Sequence, residues 1–120
     1  MHLQVPDRAF PALTSRGARL VTTTRTTADY RLYALPGGPP QRPGLVHMPG
    51  EGAAIEIEVW RMPVERFGDF VAAIPAPLGI GRLRTGQGRE VCGFLCEWAA
   101  ARDATDITVT GSWRTWLARS

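Results

Sequence analysis

The chain contains no lysine. All 14 basic side chains among its 120 residues are arginines, set against 11 acidic residues for a net charge of +3. The arginines are scattered from Arg8 to Arg119 with no block of like charge, so the sequence has no basic run of the kind that follows a nucleic-acid backbone. Cysteine is scarce as well. Cys92 and Cys96, in "EVCGFLCEW", are the two present. On a strand that spacing puts both side chains on one face, too far apart for a disulfide. With His2 and His47 as the two histidines, ligands for a metal are few, and two free thiols in a reducing compartment are the expectation. No segment approaches the roughly 18 apolar residues of a membrane span. "MHLQVPDRAF" lacks the charged start and apolar run of a secretory signal. The expectation is a cytosolic protein with neither nucleic acid nor membrane as partner.

What is present suits one small domain: 44% of the residues are hydrophobic, enough for a single modest core. Residues 1–17, with Pro6 and Pro11, read as irregular apart from a short helix in "FPALTSRG". Val and Thr in "ARLVTTTRT" (18–26) favour a strand, and "YRLYALP" (30–36) alternates as a strand does. "GGPPQRPG" (37–44) reads as a proline-rich loop, followed by a short strand over 45–48 and a turn at "PGEG". In "AAIEIEVWRMP" (53–63), Ile55, Ile57 and Val59 face one way and Glu56, Glu58 and Trp60 the other. The ordinary reading is a half-buried strand with a polar outer face; the sharper one is a carboxylate pair facing a site.

Residues 64–74 have helical spacing, with Phe67, Phe70, Val71 and Ile74 on one stripe after Pro63. Pro75 ends that helix, because the residue before a proline is pushed out of helical angles. "VAAIPAPLGIGRL" (71–83) is then an apolar connection punctuated by Pro75, Pro77, Gly79 and Gly81, and two readings stay open for it: a pocket wall, or a rigid crossover. Strands over 80–85 and 90–100 flank a "GQG" turn, 106–111 pairs briefly, and Ser112 is placed to cap a terminal helix. The pattern is α+β: a small mixed, mostly antiparallel β-barrel or strongly curved sheet, with two or three flanking helices.

"YRLYALPG", "P-x-R-P-G-L-V", "IEIEVW", "IPAPLGIG" and "GFLCE", in that order between Gly17 and Ala118, resemble the C-terminal domain of allophanate hydrolases. That resemblance implies a gamma-glutamylcyclotransferase-like fold. It also implies a place in the breakdown of a urea-derived compound, since the family's small domain is assigned decarboxylation of N-carboxycarbamate and a role in assembly. The amidase domain of such enzymes has no counterpart here, so a separate amidase protein is an implied partner. His2 falls where the family has a site histidine, but the strand expected to carry it is missing from the sequence pattern. No carboxylate lies between Asp69 and Glu90, where a cyclotransferase keeps its glutamate, which argues against glutamyl cyclisation.

The candidate site follows. His2 is the candidate catalytic acid. Pro77, Leu78, Gly79, Ile80 and Gly81 form one wall, the glycines allowing close backbone approach and exposed N–H donors. Tyr33, Arg42 and Leu45 complete it, with Arg42 suited to a carboxylate through paired hydrogen bonds. Glu97 is a further candidate, as a buried carboxylate paired with an arginine. Loss of CO2 from a carbamate-type acid calls for no metal or organic cofactor. The expected ligand is a small carboxylate. A non-catalytic binding or assembly module is the alternative, with a homodimer through the Trp113/Trp116 face or near Trp60.

Overall fold

The structure is a computed structural model and describes residues 1–6, 11–38 and 41–119, without the side chains of Pro11 and Ala12. Its strands are β1 (His2–Val5), β2 (Arg19–Arg25), β3 (Tyr30–Leu35), β4 (Arg42–His47), β5 (Glu56–Arg61), β6 (Leu78–Arg84), β7 (Glu90–Cys96) and β8 (Thr105–Asp106). The helices are short: α1 (Pro11–Thr14), α2 (Phe67–Ala72), α3 (Trp98–Ala101) and α4 (Trp113–Arg119). Five strands form one sheet in the order β2-β5-β1-β7-β6, and three form another in the order β4-β3-β8. Every pairing is antiparallel except β1 with β7.

Neither sheet closes, which corrects the expected barrel. The edge strands β2 and β6 meet through one isolated bridge, Thr26 to Thr85. A barrel needs a continuous ladder between its first and last strands. Here β3 and β4 pair instead with each other along six residue pairs, from Tyr30–His47 to Leu35–Arg42, and leave the larger sheet open. The domain is a mixed, mostly antiparallel α+β fold of two open sheets with short helices.

Two local expectations also change. His2–Val5, in the stretch expected to be irregular and to lack a strand, is the central strand of the larger sheet. The proline loop gives up its last three residues to β4, where Pro43 is buried next to Gly44. The strand expected over 90–100 stops at Cys96, and Trp98–Ala101 turns into α3.

Alternation sorts the core. Tyr30, Leu32 and Ala34 of β3, with Leu45 of β4, pack on Ile57, Leu83 and Val91 of the larger sheet, with Ile107 and Trp113 among them. On the other side Leu3, Val5 and Phe94 meet Leu13, Ala18, Met62 and Phe70. A third cluster holds Tyr33, Leu35, Val46, Cys96 and Ala101, joining β3 and β4 to α3. The Ser112 hydroxyl accepts from the Thr115 N–H at 3.0 Å and caps α4, as its position suggested. Trp113 is 5% exposed in the first cluster, with Trp116 packed against it, so this face is core rather than a free dimer surface. Glu58, expected on a solvated face, is buried and accepts from the Trp60 indole N–H at 3.1 Å; Glu56 accepts from Arg114 at 3.0 Å.

One polar side chain sits inside this packing. Gln4 of β1 is fully buried, and neither amide atom has a hydrogen-bond partner among the described residues. It lies across Gly93 of β7, its register partner, where an added Cβ would collide with Gln4 and come within 2.8 Å of Leu83. Two opposite effects follow. Gln4→Met keeps the shape and removes two unsatisfied polar atoms, so it raises stability by about 1–3 kcal/mol. Gly93→Ala overpacks the same contact and lowers stability by about 1–3 kcal/mol. Urea unfolding of both variants checks this; a destabilised Gln4→Met would show that the amide is satisfied in solution.

Candidate functional site

Two segments singled out in the sequence converge. The end of the β3–β4 hairpin (Leu35, Pro36, Gly37, Gly38 and Arg42) faces Pro75, Ala76, Pro77 and Leu78, which connect α2 to β6. Between them lies a cleft of about 300 Å³. Its shape comes from backbone constraint on both sides. Gly37 and Gly38 have φ of 104° and 100°, in the region that disfavours any side chain. Opposite, α2 ends at Ala72, the Leu78 N–H donates to the Pro75 carbonyl at 3.0 Å, and the Glu97 N–H donates to the Pro77 carbonyl at 3.1 Å. These bonds hold the proline segment against the end of β7. Leu35 and Leu78, which line the cleft, also pack with Cys96 in the third cluster, so the floor is continuous with the core.

Among the described residues the cleft carries one charge. Arg42 begins β4 directly opposite Leu35, is exposed, and makes no ion pair with a described residue. The Gly37 and Gly38 N–H groups have no hydrogen-bond partner among the described residues. A guanidinium, two unshielded amides and apolar walls can take a small carboxylate and hold it by charge-assisted hydrogen bonds.

The other candidates lie elsewhere. Gly79, Ile80 and Gly81 sit in the β6–β7 ladder opposite Leu95, Phe94 and Gly93, with Gly81 making room for the Leu95 side chain. Leu45 is buried between the sheets, and Tyr33 is buried with its ring edge-on to Trp98 at 6.0 Å. Glu97 is exposed and has no arginine partner among the described residues, against the buried pair expected. His2 does not line the cleft; it starts β1 opposite Arg61. Leu35, Pro36, Gly37 and Gly38 were missed as lining residues, although "PGG" after an alternating strand marks the hairpin end that would present them. Among the described residues no group of three His, Cys, Asp or Glu side chains is placed to hold a metal, and no helix is long and apolar enough to cross a membrane.

The family model for the allophanate hydrolase C-terminal domain matches residues 8–118. The chain belongs to that family. The urea amidolyase of Saccharomyces cerevisiae is 39% identical over 83% of this chain, and that of Lachancea kluyveri 36% identical. This chain spans 6% of the length of either protein. Among solved structures, allophanate hydrolase from Kluyveromyces lactis superposes with a TM-score of 0.91 at 34% identity, covering 98% of this chain and 21% of that one. A uropathogenic E. coli-specific protein superposes with a TM-score of 0.88 at 29% identity, covering 99% of this chain and 96% of that one. The allophanate hydrolase C-terminal fold therefore occurs both inside a long chain and as nearly the whole of a short one.

His2 has a distinctive electrostatic setting. Desolvation, then the Arg89 and Arg61 guanidinium groups and the chain's amino group, hold its pKa below the usual 6.5. The imidazole is therefore neutral at pH 7, a poor starting state for a general acid. Between the lowered folded value and 6.5 the unfolded chain binds more protons, so stability rises with pH through that window and levels off above it. An NMR titration of the His2 ring should give a midpoint below 6.5, and a midpoint above it would overturn this reading.

Proposed function

We propose that the protein binds a small, carboxylated, urea-derived compound in the cleft between the β3–β4 hairpin and Pro75–Leu78. There it assists decarboxylation of N-carboxycarbamate supplied by a separate amidase. The observation that carries this reading is the convergence of two constrained loops on Arg42, a cation without an acidic partner among the described residues. Family membership supports the substrate class. In the reaction the C–N bond to one carboxylate breaks, its electron pair stays on nitrogen, nitrogen takes a proton, and CO2 leaves with carbamate as co-product. Arg42 and the glycine amides would hold the carboxylate that remains. Among the described residues no titratable side chain besides Arg42 lines the cleft, so in this reading water supplies the proton.

That same absence of an acid favours a second reading, a binding or assembly module without chemistry of its own. One experiment separates the two. Purified protein is added to an amidase-only allophanate hydrolase with allophanate, and CO2 release is followed. Malonate, with CH2 in place of NH, serves as the binding probe. The first reading expects acceleration over the amidase alone, reduced about tenfold or more in Arg42→Gln, the scale of one charge-assisted hydrogen bond. Malonate binding at Arg42 without acceleration selects the second reading. Neither binding nor acceleration sinks the first reading and leaves only an assembly role for the second.

A further inference from the structure

A second concentration of positive charge lies away from the Arg42 cleft. Arg19 of β2, Arg61 of β5 and His2 of β1 are consecutive register partners across three adjacent strands. Directly opposed residues project from the same face. Arg19 and Arg61 line a cavity of about 420 Å³ with Gly17, Met62, Pro63 and Val64. The Arg89 and Arg61 guanidinium groups both act on the His2 ring to lower its pKa.

Like charges directly opposed on neighbouring strands are destabilising, and no described acid pairs with either member. Neither Arg19, Arg61 nor Arg89 has an ion pair with a described residue. Three acids of the same sheet have other partners: Glu56 with Arg114, Glu58 with the Trp60 indole, and Glu90 with Arg82 and Arg84. Glu65, next to Val64, makes no ion pair among the described residues. The residues around the charges give shape: Pro63 and Gly17 are neighbours, an added Cβ on Gly17 lying 3.8 Å from the proline ring. Two guanidinium groups over an apolar-walled cavity match a doubly charged oxyanion, since each presents paired N–H donors in a fixed plane.

We propose that the Arg19–Arg61 cavity is a second anion-binding site, for a small ligand carrying a dianionic oxyanion, either a phosphate group or a dicarboxylate. It is distinct from the Arg42 cleft and does not depend on what that cleft binds. The test is a two-dimensional NMR titration of the full chain at fixed ionic strength. Inorganic phosphate and malonate are separate arms, with sodium chloride as the control.

Saturable shifts at Arg19, Arg61 and His2 are expected in at least one arm, with a Kd of about 1 mM or tighter. The bound anion also offsets the local cations, so the His2 midpoint rises. The Arg19→Gln/Arg61→Gln double variant should weaken this binding by about tenfold or more while melting at the same or a higher temperature without ligand. Arg42→Gln leaves binding at this site unchanged. Whichever arm binds tighter identifies the group. Shifts that track ionic strength alone, equal binding in the double variant, or binding lost in Arg42→Gln would each overturn the proposal.

Discussion

The fold depends on the pairing of β1 with β7. These four residues stand between β5 and β7 and join the β2–β5 half of the larger sheet to the β7–β6 half, which otherwise meet at the single Thr26–Thr85 bridge. The parallel contact spans two register pairs, Leu3–Cys92 and Gln4–Gly93. Each residue of β1 meets a different demand. Leu3 and Val5 are buried with Phe70 and Phe94 on the helix-covered face. Gln4 points to the opposite face and is tolerated because Gly93 has no side chain. The cost of a buried amide is accepted on a short strand that cannot be shifted, since a one-residue slip would put Leu3 and Val5 on the wrong side.

The Arg42 cleft is a consequence of how the second sheet docks. Leu35 ends β3 and Leu78 begins β6; both rest on Cys96, and burial raises the thiol's pKa, so it serves as packing rather than as a nucleophile. The Gly44 position admits no side chain comfortably, an added Cβ lying 3.0 Å from Leu35 and 3.1 Å from the Cys96 sulfur. The hairpin therefore lies close over β7, while its glycine tip stands clear of the Pro75–Leu78 segment. The cleft is the gap between a backbone pressed down at Gly44 and one held up by prolines.

How much of this was legible depended on the kind of signal. Periodicity over five or more residues located β3, β5, α2 and α4, because alternation or helical spacing repeats the same burial decision several times, while β2 was read from its Val and Thr content. "HLQV" repeats it too few times to register: it is short, interrupted by Gln4 and followed by Pro6, and its strand character comes from strands distant in sequence, β5 and β7. The barrel failed for a related reason. Strand count and short connections are compatible with closed and open arrangements alike, and which edges pair is decided by contacts such as β3 on β4 that no local pattern encodes. Within the site, Pro77, Leu78 and Arg42 were legible as loop chemistry. Gly79, Ile80 and Gly81 were not separable from them, because the point where a connection becomes a ladder depends on the partner strand β7. Leu45 and Tyr33 were read as walls, but the middle of β3 and β4 is covered on both faces, so both side chains are buried.

The absence of lysine bears on where the positive charge ends up. Arginine's planar fork suits fixed geometry, and several arginines use it internally. Arg31 donates to Asp106 at 2.6 and 3.1 Å and to the Glu51 carbonyl at 2.6 Å. Burial acts to raise the Asp106 pKa, but the Thr108 and Arg31 hydrogen bonds outweigh it and hold the carboxyl below its usual range. That latch ties β3 to β8. Arg16 likewise spans from the α1 region to Asp69 at 2.8 Å while stacking over Phe70 at 5.6 Å. With those acids engaged, the arginines left without a described acidic partner include Arg42 in one cavity and Arg19 and Arg61 in another. Scattered exposed arginines would be an ordinary solvated surface. Two that oppose each other across a sheet, and one that stands alone between constrained loops, retain a charge the fold does not use.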